Sequence, residues 1–386
     1  MTRASLRILP VHLGFALDGV ATTLLGPILP SLTSHFSLND EQAGRFFMAQ
    51  FAGAIAGSLA SGRSYTTWGG GRTLFAGFAA IACGVAVAGR DSLALSFAGV
   101  CLYGVGIGLV TPAINLLAAD ESGGRRTANL NALNASWCAG AVAGPPLILR
   151  LLATHPLIQV LEGFTLALAL LAAYFVFPPA VAGAAPAAKV GGGFHLQRIV
   201  VLTCCFLFLY VGMENGVNGW LVSFGLRAKG MQVTTVAYSH AMFWGAILAG
   251  RLLAAFWPAA LSDARLIVGG ILAALAGTVM FVVSSTGIFY FAGIFLAGLG
   301  MSVIFPTTIS VFMGRGGVDA QRSAGLVFAC ASLGGAAIPW LIGRVSSWLL
   351  DLQTAMWILT ACGVLMLALQ VWMRAGDPMQ ERSQAS

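Results

Sequence analysis

The sequence predicts an all-α membrane protein whose twelve transmembrane helices form two six-helix halves, and three observations predict it. Hydrophobic residues make up 58% of the 386 and charged residues only 9%, which leaves too little polar surface for a soluble globule of this size. Apolar runs of about 20 residues or more recur from end to end, each able to cross a hydrocarbon core of about 30 Å as a helix. These runs are apolar on nearly every side and rich in Gly and Ala, which suits close-packed helices and not the alternating strands of a barrel. The chain also resembles itself at a nearly constant offset. LYGVGIGLVTP (Leu102–Pro112) returns as LAGLGMSVIFP (Leu296–Pro306) 194 positions on, and FAGAI at Phe51 returns as FWGAI at Phe243, 192 on. FALDGV at Phe15 is answered by VGMENGV at Val211, with Asp18 and Glu214 separated by 196. A duplicated architecture leaves this kind of trace.

The first span, 8–32, follows Arg3 and Arg7. It is too long for the apolar region of a secretory signal, carries Asp18 and opens a series of similar runs, so it reads as a retained helix. The second span, 42–61, leads through GSLASGRSYTTWGGGR, with Gly57, Arg63 and Arg72, into the third, 73–89. The fourth, 92–118, contains Pro112; the fifth, 127–149, carries Asn131, Asn134 and Cys138 and continues into GAVAGPP; the sixth, 157–177, closes the first half. Residues 178–197 are rich in Pro, Ala and Gly without an apolar period and read as a linker. The second half starts with 198–222, which holds FLYVGMENGVNGW, and 235–257, which holds His240, Trp244, Ile247 and Arg251 at i, i+4, i+7 and i+11. Spans at 265–285, 287–313 (with Pro306), 322–348 and 353–373 complete it. The expected organisation is an N-terminal half at 1–177, a cytoplasmic linker at 178–197 and a C-terminal half at 198–386 with a short cytoplasmic tail.

Counting Lys and Arg near helix ends orients the chain, since cytoplasmic loops carry the excess. Thirteen of the 20 fall on the side of the N-terminus, six on the other, and Arg251 lies within a span. Both termini are therefore expected in the cytoplasm of a multi-pass protein of the cell's inner membrane. The net charge of +7 follows from that topology and implies no nucleic-acid partner. All seven cysteines lie in apolar runs without metal or disulfide spacing and read as small hydrophobes. With no zinc-type His-Glu arrangement, nucleophile elbow or phosphate loop, nothing points to an enzyme, a metal or a resident cofactor.

Two six-helix halves joined by a cytoplasmic linker resemble the major facilitator superfamily of secondary transporters. The loop from Gly57 to Arg72 resembles that family's Gly-x-Leu-Ala-Asp-Arg-x-Gly-Arg signature through Gly57, Leu59, Arg63 and Arg72, with Ser61 in place of the acid. Tyr210, Gly212, Glu214 and Trp220 match the Tyr-x-Gly-x-Glu-x-x-x-x-x-Trp pattern of the fucose–proton symporter family. That resemblance implies proton coupling at an acid of the first helix, here Asp18, and sugar contacts from fifth-helix asparagines, here Asn131 and Asn134. Unlike the sugar–proton members, this chain has no acid in the fourth helix after its leading loop. GAVAGPP (Gly140–Pro146) resembles the Gly-x-x-x-Gly-Pro motif of antiporters and drug exporters, which keeps proton-driven export of amphipathic compounds as the alternative.

An ionised carboxylate inside the bilayer is costly, and such residues usually face a cavity and act there. Asp18 and Glu214 are the acids near mid-span, in equivalent helices of the two halves, and both are expected to face one aqueous space. Burial disfavours the charged carboxyl, which suits a group that loads and releases a proton. Sodium is the other coupling ion that the oxygen-rich set Glu214, Asn215 and Asn218 suggests. The bland reading of each acid is a tie between neighbouring helices. On the seventh helix Tyr210, Glu214 and Asn218 share a face and Trp220 points elsewhere. Substrate contacts are assigned to Asn131, Asn134, Tyr210, Asn218, His240 and Trp244, and conformational roles to Gly57, Arg63, Arg72, Pro112 and Pro306. The bland reading of His240 is a polar residue near the outer interface, and that of Trp244 a packed aromatic. The reading is of a monomer in a lipid bilayer that carries a small-molecule substrate, a sugar, by proton-coupled symport.

Overall fold

The structure, a computed structural model, describes residues 3–120, 126–176, 198–254 and 262–375, without the side chains of 3–8, 118–120, 126–132, 254, 313–322, 324–325 and 374–375. The expected linker, 178–197, and the end of the C-terminal tail lie outside the described residues. The helices are α1 (Arg3–Thr23), α2 (Leu25–His35), α3 (Asp40–Trp68), α4 (Gly70–Ala88), α5 (Leu93–Asp120), α6 (Arg126–Leu152) and α7 (Leu157–Val176). They continue with α8 (Arg198–Arg227), α9 (Val233–Ala254), α10 (Asp263–Val283), α11 (Gly287–Leu349), α12 (Leu352–Ala355) and α13 (Trp357–Ala375). Each of the twelve expected spans has a helical counterpart. Among the described residues nine helical segments are long and apolar enough to cross a membrane, and the α1–α2 pair makes a tenth. Helices α3 and α9 complete the set as more polar members.

Some of the expected spans are interrupted or joined in ways the sequence hid. The first is broken at Leu24, where α1 and α2 meet at 44°. Pro27 has no N–H to give the Thr23 carbonyl, and the Thr22 and Thr23 hydroxyls bond back to the carbonyls of Asp18 and Gly19 at 2.8 and 3.0 Å, both of which bend helices. The tenth and eleventh spans are one run of helical residues, α11, holding the apolar segments Gly287–Phe312 and Leu326–Leu349. The chain nevertheless folds back between them: the Phe305 and Phe328 rings lie 6.2 Å apart, whereas 23 residues of straight helix would span about 35 Å. Pro112 and Pro306 lie inside helices that are unbroken at those positions.

The internal offset reappears in the packing, carried by glycines. A Cβ on Gly99 would strike the Gly84 carbonyl, and one on Gly293 the Gly277 carbonyl; Gly106 faces Gly77 and Ile81 as Gly300 faces Gly270 and Ala274. Gly140 of α6 rests on the Ala16 carbonyl of α1, and Gly334 of α11 on the Phe208 carbonyl of α8. These equivalences lie 192 to 194 positions apart. They follow from the need for small residues where helix backbones touch in lipid. Gly140→Ala is therefore expected to destabilise the α1–α6 contact by about 1–3 kcal/mol, as overpacking does. Thermal unfolding in detergent checks this against Gly62→Ala, where nothing lies within 4 Å of the added carbon.

The halves are tied at one end of the bundle. Helix α3 starts with a capping box, Asn39 and Gln42 each bonding the other's backbone N–H at 2.8 and 3.0 Å. That start places Asp40 against the ends of α8 and α11. Both Asp40 oxygens accept from Arg227, at 2.5 and 2.9 Å, and the Ser346 hydroxyl adds a third bond at 2.5 Å. Glu41 pairs with Arg45 at 2.9 Å and with Arg344 at 3.0 Å. The hydrogen bond from Arg45, with Arg344 beside it, holds the Glu41 carboxyl below its usual range. Gly44 on the Trp340 backbone and Gly343 on the Asp40 carbonyl let α3 and α11 touch there.

Candidate functional site

Asp18 is fully buried where α1, α5 and α6 converge. Its Oδ2 accepts from the Thr111 hydroxyl at 2.8 Å, Trp137 lies against it, and its Oδ1 has no protein partner. Gly19, whose Cβ would strike the Trp137 carbonyl, brings α6 this close. The sequence reading placed both acids on one aqueous space. In this conformer Asp18 is instead enclosed, because that close approach lays Trp137 beside the carboxyl.

Glu214 on α8 is half-buried, one turn from Tyr210. The Tyr210 hydroxyl sits 3.0 Å from Glu214 Oε1 and 3.0 Å from the Met301 carbonyl. One hydroxyl hydrogen serves one acceptor at a time, so Tyr210 is placed to respond to the state of Glu214. Arg251 of α9 lies within electrostatic range of Glu214 and beside Cys138 of α6. Trp220 does point elsewhere, its indole N–H donating to the Pro339 carbonyl at 2.8 Å.

Asn218 is buried, and its Oδ1 accepts from the Trp244 indole at 2.9 Å. His240 is fully buried as well. Its Nε2 donates to the Asn218 carbonyl at 2.7 Å, and its Nδ1 has no partner. Gly26 of α2 makes room for the ring, since a Cβ there would come within 2.9 Å of Nε2. Trp244 meets Trp137 edge to face at 5.3 Å. Through this pair the Asp18 cluster of the first half touches the Asn218 and His240 cluster of the second. Gln50, also buried, reaches the Thr22 carbonyl at 3.4 Å beside the α1–α2 break.

Asn134 is exposed on α6 and is itself engaged in an interaction; the side chain of Asn131 lies outside the described residues. Gly57 lies against the Val105 carbonyl of α5, and Arg63 and Arg72 are exposed. Ser61, where the signature has its acid, is buried and donates to the Leu109 carbonyl at 2.9 Å, a packing bond in place of a charge. Gly140 and Gly144 of GAVAGPP pack on Ala16 and Val20 of α1. Sequence reasoning missed Thr111 and Trp137 and gave Arg251 little weight. The signal for Arg251 was its place at the foot of the His240–Trp244 stripe; for Thr111 and Trp137 there was none, because their importance comes from neighbours on other helices.

The family model described as Major Facilitator Superfamily matches residues 11–339. The chain is 30% identical over 189 residues to the "Glucose/mannose transporter GlcP" of Bacillus subtilis (strain 168), covering 47% of this chain and 45% of that protein. It is 27% identical over 360 residues to the "Glucose/galactose transporter" of Brucella abortus biovar 1 (strain 9-941), covering 86% of this chain and 85% of that one. "Sodium-dependent glucose transporter 1" of Danio rerio is 25% identical, with 84% and 62% covered. Among solved structures, a D-xylose–proton symporter matches with a TM-score of 0.74 at 14% identity over 94% of this chain and 96% of that one. The fucose–proton symporter FucP of E. coli matches with a TM-score of 0.61 at 19% identity over 94% and 97%.

Proposed function

The chain belongs to the major facilitator superfamily, and from that premise we propose that it is a secondary active transporter that imports a sugar by proton-coupled symport through alternating access. The family consists of transporters, so the chain is not an enzyme. The observation that carries the sugar reading is the cluster of Glu214, Tyr210, Arg251 and Asn218 at the contact between α8 and α9, in a chain that aligns with most of a glucose/galactose transporter. A carboxylate with an amide one turn along its helix and a guanidinium within electrostatic range can accept from and donate to hydroxyls, which suits a polyol. Residues 1–177 and 198–386 act as the two rocking halves, joined by a cytoplasmic linker at 178–197, with both termini in the cytoplasm and the protein a monomer of the inner membrane. The Asp40 end then faces outward and is shut in this conformer.

Proton coupling is assigned to Asp18. Its unpartnered Oδ1 and neutral Thr111 partner suit a carboxyl that carries a proton, whereas sodium calls for six or so oxygen ligands. Sodium remains the outcome to test against, since one relative is named as sodium-dependent. Gly57, Arg63, Arg72, Pro112 and Pro306 belong to the cytoplasmic gate in this reading, and Asn131, Asn134, His240 and Trp244 to the substrate path. The GAVAGPP glycines pack α6 on α1, and proton-driven export of amphipathic compounds is the alternative that the ligand screen tests against.

The deciding experiment is a thermal-shift screen of the purified protein against sugars, polyols, amino acids and drugs, because a ligand that binds the folded state raises its apparent stability. Glucose or galactose is expected to raise Tm; a response confined to amphipathic drugs would overturn the sugar reading. Glu214→Gln removes a charged acceptor of about 1.5–3 kcal/mol, so the apparent Kd for the responding sugar is expected to rise roughly 10- to 150-fold. Titrating that sugar against both proteins reads the difference.

A further inference from the structure

We infer that Arg251 determines substrate charge at the Glu214 site: with Glu214 it forms a donor–acceptor pair that admits a neutral polyol and excludes a sugar acid, and its second contact, Cys138, ties that choice to the meeting of the two halves. The inference rests on the sugar-transport reading and extends it to the substrate's charge.

Three observations carry it. Arg251 lies in the last described turn of α9, below Trp244 and His240 on one face of the helix. From there it lies within electrostatic range of Glu214 and Tyr210 in its own half and beside Cys138 in the other, and among the described residues no ion pair to Glu214 closes the space between them. Its Nε is buried and has no acceptor in the protein, so the guanidinium retains a free donor. A guanidinium is a rigid fork of five N–H donors with no acceptor. A carboxylate accepts only. Two adjacent hydroxyls fit between them, each accepting from Arg251 and donating to Glu214, and the pair stays charge-balanced.

A substrate carboxylate would break that balance. It would share the one guanidinium with Glu214, and the like charges would repel at low dielectric. The charged and titratable groups on α1, α6, α8 and α9 around this contact are Asp18, Cys138, Tyr210, Glu214, His240 and Arg251. Arg251 is the one permanent cation among them. Cys138 is buried, with the guanidinium beside it, so anything that draws Arg251 toward a ligand loosens a contact across the halves.

The test uses the full-length protein in detergent, with D-glucose, D-galactose and D-glucuronate as probes. Peptide-resolved mass spectrometry measures N-ethylmaleimide labelling of Cys138 beside the thermal shift. In the parent, a neutral hexose should raise Tm and change the Cys138 labelling rate at least threefold, while glucuronate at the same concentration does neither. Arg251→Gln should raise the apparent Kd for the hexose at least tenfold and remove its effect on Cys138 labelling. Arg251→Lys keeps the charge without the fork, and an intermediate Kd with an unchanged apo Tm separates loss of recognition from loss of fold. If Arg251→Gln and Arg251→Lys both bind the hexose as the parent does, or if glucuronate binds as well as glucose, the inference falls and the sugar reading stands. If no sugar shifts the parent, the sugar reading falls and takes the inference with it.

Discussion

Asp18→Asn is expected to abolish sugar accumulation driven by a pH gradient while leaving exchange of labelled sugar across the membrane intact. The substitution is nearly isosteric and holds the site in the neutral state that a protonated carboxyl would have. Asp18 is sealed from solvent between α1, α5 and α6, so an amide there avoids the cost of a buried charge. It keeps an acceptor for the Thr111 hydroxyl. What it cannot do is release a proton. A gradient of one pH unit supplies about 1.4 kcal/mol per proton, about tenfold accumulation, and this factor should collapse to one in the variant. Proteoliposomes loaded at a fixed internal pH measure it, with counterflow in the same vesicles as the control for substrate binding and alternation. A variant that concentrates sugar like the parent would remove Asp18 from the coupling mechanism, and accumulation that follows a sodium gradient in the parent would replace the proton.

Asp40→Ala is expected to release the closed end of the bundle. Asp40 accepts two bonds from Arg227 and one from Ser346, so one carboxylate holds α3 to both α8 and α11. Its own side chain is 8% exposed but that of Arg227 is 50% exposed. Water therefore recovers much of what the arginine loses, and the pair is worth less than a fully buried one. About 1–3 kcal/mol is a fair range for its loss, which shifts the balance between closed and open forms by roughly 5- to 150-fold. Spin labels at the exposed positions Ser34 and Trp348 report the separation across that end. The long-distance population should grow in Asp40→Ala, and hardly change in Glu41→Gln, whose partners Arg45 and Arg344 are themselves more than half exposed. An unaltered distance distribution in Asp40→Ala would mean that glycine-mediated helix contacts, such as Gly44 on Trp340 and Gly343 on Asp40, hold the end shut without the ion pair.

Much of the site was legible, in pieces. Tyr210 and Glu214 were placed together by the helical period alone, and their hydroxyl and carboxylate stand 3.0 Å apart. Asn218 and Trp244 were each singled out, but nothing in either helix's sequence indicated that one bonds the other. The pairing of Asp18 with Glu214 was read as an equivalence of the two halves at an offset of 196. The glycine contacts around them repeat at 192 to 194, so Glu214 stands about one turn beyond the packing equivalent of Asp18. One acid is enclosed by its neighbours and the other is half-buried.

The sequence by itself determined the class of protein, the number and order of the spans, the duplication and the acids that the bilayer interior makes costly. These are properties of single helices: each must satisfy its own backbone and be apolar enough for lipid, and both requirements are written along one stretch of chain. Only the tertiary structure decided which polar groups meet. Trp137 reaches Asp18, Arg251 reaches Cys138 and Arg227 reaches Asp40 because missing Cβ atoms at positions such as Gly19, Gly140 and Gly343 let particular backbones touch in particular registers. A shift of one turn in any of those contacts would give the same hydropathy and a different site.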